Sequence, residues 1–462
     1  MVFAGDKVTD RSSHSADPAD QIAGDGSNRR FACPGLFRIV PSRDGGICRI
    51  KLPRGLVTAS QVRAIAETAA GFAGAVEATN RSNIQIRGVR GGCEDAVIAA
   101  VTAAGLGPRT AGADDVRNVM VSPAAGIDPA ALVDVTDLAD RILARLEVQS
   151  RYHALSPKFS IQIDGGESTA MLEHPNDIWF AAVDSTRFAF GFAGCPGDVG
   201  GTVGTVAADE VEATLFALLD RFLAENGKIN SAGTVISRFR HLLVDQSADA
   251  IAASLPISIS RHGIWQRRQP VAFGHIGQQA QRQRDLCWLG AVPPVGRLSA
   301  RMLHGLADLA DNVSGSEIRM TPWQSVFLPN VALTSAASAL GQLAALGFVV
   351  KSDRAFAGLV TCAGSAGCKS GFADTKSDAL ALGNFLDACK VEVVGLHLTG
   401  CGKSCAAPRT APVTLLGISP GHYDVFLRSD AEKAGFGKLV GRNLTIEQAG
   451  SFLADKFSRV PE

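Results

Sequence analysis

The order of apolar and polar positions along this chain occurs twice. Residues 52–89 and 292–331 each carry a Pro/Gly turn, a Thr or Ser helix cap, an amphipathic helix and then a strand. Gly55 matches Gly296, Thr58 matches Ser299 and Val89 matches Val331, with about one residue of slippage. This pattern predicts a duplicated unit in which a helix lies on a small sheet.

Between the copies, residues 115–255 predict a different unit, with helices at 134–146 and 210–224 and strands at 158–164 and 187–192. From about residue 340 the same alternation returns. Helix ALGQLAALG precedes strand AFAGLVT, and helix SDALALGNFLDAC precedes strand VEVVGLHLT. The expected division is a polar, disordered tail over 1–30, half-domains over 31–114 and 261–335, and α+β domains over 115–260 and 336–462.

The two copies differ on one strand face. Arg81, Asn83, Gln85 and Arg87 follow a period of two, which places them together and sets Ile84 and Ile86 on the opposite face. The matching residues of the second copy are Trp323, Ser325, Phe327 and Pro329, so its charge is gone. Two arginines framing an Asn and a Gln form a donor-rich row suited to carboxylates. A polar face turned to solvent is the plain alternative.

A chain of 462 residues exceeds one ordinary core, which agrees with several domains. Lys plus Arg (45) equals Asp plus Glu (45), so there is no global basic field and no nucleic-acid partner is expected. No apolar run approaches the roughly 18 residues of a membrane span, and the first 30 residues lack the layout of a signal peptide. Ten cysteines in such a chain read as reduced thiols in a cytoplasm. The glycine-rich stretch 191–204 does not follow the strand, G-x-G-x-x-G, helix order of a dinucleotide site, so it reads as loops.

Four cysteines carry the candidate chemistry. Cys362 and Cys368 form C-x5-C, Cys401 and Cys405 form C-x3-C, and 32 residues separate the pairs. Cys362 and Cys401 each follow a predicted strand, and glycines in CAGSAGC let backbone wrap around an inorganic core. The spacing suits a [4Fe–4S] cluster. Zinc, which favours C-x2-4-C, and buried free thiols are the alternatives. Cys389 completes an apolar helix face with Leu382, Phe385 and Leu386, and reads as core.

C-x5-C followed by C-x3-C, with TNRSNIQIRG upstream, resembles the sirohaem-dependent sulfite and nitrite reductases over nearly the whole chain after residue 30. Within that superfamily ACPGLFRIVPSRDGGICRIKLPRG, LGAVPPVGRLS and LHLTGCGKSCAAP are more similar to the precorrin-3B synthases, monooxygenases of cobalamin biosynthesis. The resemblance implies a duplicated α+β architecture with ferredoxin-like half-domains and a [4Fe–4S] cluster held by the four cysteines. The basic residues that surround the tetrapyrrole map onto Lys51, Arg81, Arg117 and Lys158. Ser160 stands where the second lysine of a K-F-K motif belongs, and Arg87 replaces a strand-end histidine.

The activity implied is hydroxylation of precorrin-3A at C20 with O2 and NADH-derived electrons, followed by closure of the ring-A acetate lactone. Lys51, Arg81, Asn83, Gln85, Arg87, Arg117 and Lys158 would bind the substrate's carboxylates, with Lys158 and Arg117 the candidate catalytic groups. A separate reductase or ferredoxin would deliver the electrons. A mononuclear non-haem iron is also implied, with His153, His174, His241, His262, His275 and His304 as candidate ligands in no strong spacing. A sirohaem-dependent sulfite or nitrite reductase is the alternative function.

Overall fold

A computed structural model describes residues 33–260, 265–391, 395–409, 411–429 and 435–457. The tail expected over 1–30 lies outside the described residues, as does His262. No helix among the described residues is long and apolar enough to cross a membrane.

The described strands form four five-stranded sheets. The first half-domain contributes Val40–Ser42, Gly45–Ile50, Ile84–Val89 and Ala75–Ala78, and the second contributes Gly277–Ala280, Leu286–Ala291, Val326–Ala332 and Glu317–Met320. Each sheet takes its fifth strand from the other half. Leu56–Thr58 pairs antiparallel with Glu317–Met320, and Arg297–Leu298 pairs antiparallel with Ala75–Ala78.

The exchange is launched by matched turns. In Pro53–Gly55, Arg54 and Gly55 take φ of 54° and 74°; in Pro294–Gly296, Val295 and Gly296 take 53° and 72°. Two successive left-handed residues swing the chain out of its own half. Thr58 and Ser299 then cap helices Ala59–Phe72 and Ala300–Val313 by accepting from the amides of Gln61 and Met302. Both helices contribute to one core, in which Val62 and Ile65 join Leu303 and Leu306. The predicted repeat is present, and its copies share a single hydrophobic interior.

The first α+β domain carries the sheet Gly204–Ala207, Arg187–Gly194, Asn176–Ala182, Ile161–Asp164 and Val119–Met120, flanked by helices Thr136–Val148 and Val211–Leu223. The last domain orders Leu359–Thr361, Leu396–Thr399, Val413–Ser419, His422–Leu427 and Lys438–Thr445 beside helices Thr375–Ala388 and Ile446–Phe457. Each has a core of its own.

Two local expectations are corrected. Gly191 and Gly194 belong to a strand, with only 195–203 looping out; a Cβ on Gly191 would meet the Trp179 ring at 2.4 Å. Cys389 is exposed, because helix Thr375–Ala388 ends just before it and Lys390, at φ 53°, turns the chain away.

The exchange turn makes a stability prediction. A Cβ on Gly55 would lie 2.4 Å from the Met320 carbonyl oxygen, whereas one on Gly92, also left-handed, meets nothing within 4 Å. Gly55→Ala should cost about 3 kcal/mol and Gly92→Ala about 1 kcal/mol. Thermal unfolding of both variants checks this, and equal shifts would remove the Met320 contact as the cause.

Candidate functional site

The cysteines lie at the ends of adjacent parallel strands. Leu359–Thr361 delivers Cys362 and Leu396–Thr399 delivers Cys401, with Leu359 paired to Leu396 and Thr361 to Leu398. Ligands gather naturally at such carboxyl edges. From Cys362 the chain makes one short helical turn, Gly364–Gly367, to Cys368. Ser404, at φ 51°, bends the backbone between Cys401 and Cys405.

The four thiols sit within one another's electrostatic field. Burial first, then the charges of Cys362, Cys401 and Cys368, push the Cys405 thiol up to about 11; burial leads the rise at Cys401. The Gly364 and Gly400 amides donate to Cys362 Sγ at 3.4 and 3.3 Å. Glycine is required for the packing behind them, since Gly400 would place a Cβ 3.1 Å from the Gly371 Cα. A polynuclear iron–sulfur core fits this set: the four cysteines leave two adjacent strand ends, and backbone amides already face Cys362 Sγ. Among the described residues no three His, Cys, Asp or Glu side chains converge to hold a single metal ion. The C-x5-C gap is longer than the C-x2-4-C spacing that zinc favours.

The basic residues are distributed differently from the expectation. Arg81, Asn83 and Arg117 line one narrow crevice with Leu52, Arg54 and Met120, with a cavity volume of about 10 Å³. Arg81 donates to the Asn176 side chain at 2.5 Å and the Pro175 carbonyl at 2.7 Å. Arg117 pairs with Glu147 at 2.9 Å. Burial pushes Arg81 down to about 10 and also lowers Arg117, so an anion entering the crevice would relieve both cations.

The remaining residues have other work. Lys51 is 4% exposed and donates to the Asp114 carbonyl at 2.6 Å, away from the crevice wall. Asn83 Oδ1 accepts from the Leu52 amide at 2.9 Å, which pins the exchange turn. Arg87 is 6% exposed and grips Asp44 through Nε and Nη2 at 2.9 and 3.1 Å, with Gln85 at 3.5 Å. Lys158 stands exposed, and Ser160 beyond it is buried. Lys51, Gln85, Arg87 and Lys158 therefore do not join Arg81 and Arg117 in the crevice wall. Internal partners hold the first three, and Lys158 lies exposed on a turn before strand Ile161–Asp164.

The candidate iron ligands are also dispersed. Burial, then the charge of Arg81, drives His174 down to about 3. His275 is likewise pushed to about 3 by burial, and stacks on Trp323 at 4.3 Å. His304 is exposed, while His153 and His241 engage backbone carbonyls of Glu147 and Val235. These residues do not fit a mononuclear iron site.

Sequence reading missed Arg49, Glu77 and Lys376. Arg49, Gln85, Glu77 and Arg297 form one row across four strands, and Lys376 reaches Glu77 at 3.6 Å from the cysteine domain. Arg49 was accessible from its position two residues before Lys51. Lys376 carries no such signal, because its partner comes from another domain.

Comparison with known proteins agrees with this architecture. The model of the nitrite/sulfite reductase ferredoxin-like half domain matches residues 40–104 and 279–346, and that of the nitrite and sulphite reductase 4Fe-4S domain matches 112–250. The chain belongs to the nitrite and sulfite reductase superfamily. Its α+β fold with ferredoxin-like half-domains is the one expected. The 4Fe-4S match supports a [4Fe–4S] cluster, although it falls on the first α+β domain, where Cys195 is the only cysteine. The four clustered cysteines lie in the last α+β domain.

Ferredoxin–nitrite reductase of Synechococcus elongatus is 28% identical over 434 residues, covering 87% of this chain and 80% of the relative. Precorrin-3B synthase of a Sinorhizobium species is 28% identical over 403 residues, covering 86% and 82%. The solved NirA protein of Mycobacterium tuberculosis superposes with a TM-score of 0.72 at 20% identity over 88% of this chain and 79% of that one, a likeness of fold. The superfamily members are oxidoreductases, and this chain is one.

The buried ammonium of Lys51 makes a pH prediction. Burial pushes it down to about 8, against 10.5 in an unfolded chain. Between these values the unfolded state binds more protons, so stability rises with pH across that window. Relative to Lys51→Met, the protein should gain about 3 kcal/mol from pH 8 to 10.5. Unfolding midpoints at the two pH values test this; a constant difference would mean that Lys51 titrates normally.

Proposed function

We propose that this oxidoreductase is a monooxygenase of the precorrin-3B synthase kind. It would hydroxylate precorrin-3A at C20, taking one oxygen atom of O2 into the product and reducing the other to water with two electrons originating from NADH. Lactone closure by the ring-A acetate follows. Cys362, Cys368, Cys401 and Cys405 are the proposed ligands of the [4Fe–4S] cluster, which supplies electrons singly when bound.

One observation carries the choice over sulfite or nitrite reduction. Ser160 replaces the second lysine of the reductase K-F-K motif and is 1% exposed, with a hydroxyl that has no hydrogen-bond partner. Arg54, Arg81 and Arg117 line the crevice, with Arg54 already paired to Asp140 and Arg117 to Glu147. Arginine forks suit the carboxylates of acetate and propionate arms. The crevice itself has a cavity volume of about 10 Å³, close to one water, so the macrocycle would present only one carboxylate-bearing edge to its mouth. There Arg81 and Arg117 would bind and orient that edge.

A sirohaem nitrite reductase is the second reading, favoured by relatives such as the Synechococcus elongatus enzyme. The name of that relative also suggests ferredoxin as electron donor here; a separate reductase would serve the same role.

The absorption spectrum of anaerobically purified protein separates the two. A broad iron–sulfur shoulder with no Soret band is expected, and a sharp sirohaem Soret band would establish the second reading. Arg81→Met should weaken binding of a carboxylated tetrapyrrole about 10- to 100-fold, measured by fluorescence quenching; unchanged affinity would remove Arg81 from the site.

A further inference from the structure

The loop between Cys362 and Cys368 contains only Ala363, Gly364, Ser365, Ala366 and Gly367. Such residues offer little side-chain packing to fix a backbone that must present two thiolates. The missing support comes from the first half-domain. The Gly367 carbonyl, just before Cys368, accepts from Arg87 Nη2 at 2.8 Å and from the Ser42 hydroxyl at 2.5 Å. Arg43 Nη1 donates to the Ser365 carbonyl at 2.8 Å. Asp44 holds the other side of the Arg87 fork at 2.9 and 3.1 Å. Three consecutive residues of one hairpin turn, 42–44, therefore converge with Arg87 on this loop.

The approach is close. A Cβ on Gly367 would lie 2.7 Å from Arg87 Nη2 and 3.1 Å from Asp44 Oδ2. A substrate carboxylate could use these donors only by displacing Asp44 and the Gly367 carbonyl. The second cysteine loop is held from the same half-domain, since Asn80 Nδ2 donates to the Cys405 and Ala406 carbonyls at 3.2 and 3.1 Å.

We propose that Arg87 is a positioning residue for the iron–sulfur cluster: with turn 42–44 it clamps loop 362–368 and does not bind substrate. The proposal rests on the four cysteines holding that cluster. Groups that orient metal ligands from behind typically contribute 10- to 100-fold to metal retention.

Two variants of the full chain test it. Arg87→Lys keeps the charge and loses the fork, whereas Gly367→Ala keeps Arg87 and intrudes on its contact from the loop side. Both are purified anaerobically, and bleaching of the iron–sulfur absorption is followed with the ferrous chelator bipyridyl. Each should lose iron about 10- to 100-fold faster than the parent chain, while tetrapyrrole affinity holds in Gly367→Ala. Retention at the parent rate in both variants overturns the clamp. So does Arg87→Lys with a stable cluster and weakened tetrapyrrole binding, which makes Arg87 a ligand contact. If Arg87→Lys does not fold, Gly367→Ala decides on the same rate. A parent chain with no iron–sulfur absorption defeats the cluster assignment itself, an outcome distinct from equal bleaching rates.

Discussion

Leu56–Thr58 and Arg297–Leu298 each complete the sheet of the other half, and the common core closes only around that exchange. Everything functional is arranged about its two turns. Arg54 and Gly55 of the first turn line the crevice, and Arg54 reaches Asp140 of the first α+β domain at 2.7 Å. Val295 of the second turn is buried in the core of the cysteine domain, and its carbonyl accepts from Lys376 at 2.5 Å. The turns thus fix where each larger domain docks, which a flexible linker could not do.

Duplication followed by divergence explains why one sheet face carries chemistry and the other does not. Phe327 and Trp288 of the second copy stack at 5.4 Å and pack with Ala124 and Ile127, so this face is an apolar seat for the first α+β domain. The first copy uses ions for the equivalent contact. Glu77 lies among Lys376, Arg87 and Arg297, and the charges of these partners outweigh burial to hold its carboxyl below the usual range. Apolar packing anchors one domain and leaves the polar copy to meet the cysteines. A buried ionic seam that loses one partner leaves a desolvated charge behind, so the alignment of the two bodies is enforced.

Much of this was legible from the chain because its signals are local. Turn glycines, Thr and Ser caps and period-two alternation report contacts within a few residues, and the repeat appears where those signals place it. The cysteine spacing is local in the same way: each pair is joined by one short stretch leaving a strand end. Lys51 and Arg87 resisted such reading. Their types and periodicity suit an anion site, but Asp114, Asp44 and Gly367 neutralise or occupy them from positions far away in sequence. The exchange of strands was equally hidden, since the alternation of Leu56–Thr58 states that it is a strand without naming its sheet.

The turn that precedes one strand argues for a division of labour among its polar residues. Periodicity alone presents Arg81, Asn83, Gln85 and Arg87 as a single row of donors. Arg81 lies instead in the turn before strand Ile84–Val89, where Ser82 takes φ 56°, so it leaves the row that Gln85 and Arg87 keep. The two ends accordingly meet different surroundings: Arg81 the crevice beside Asn176, Arg87 the loop before Cys368. Between them Asn83 and Gln85 turn to the backbone of Leu52 and to Arg87 itself. Strand Ile84–Val89 and the turn before it thus tie the crevice to the cysteine loop.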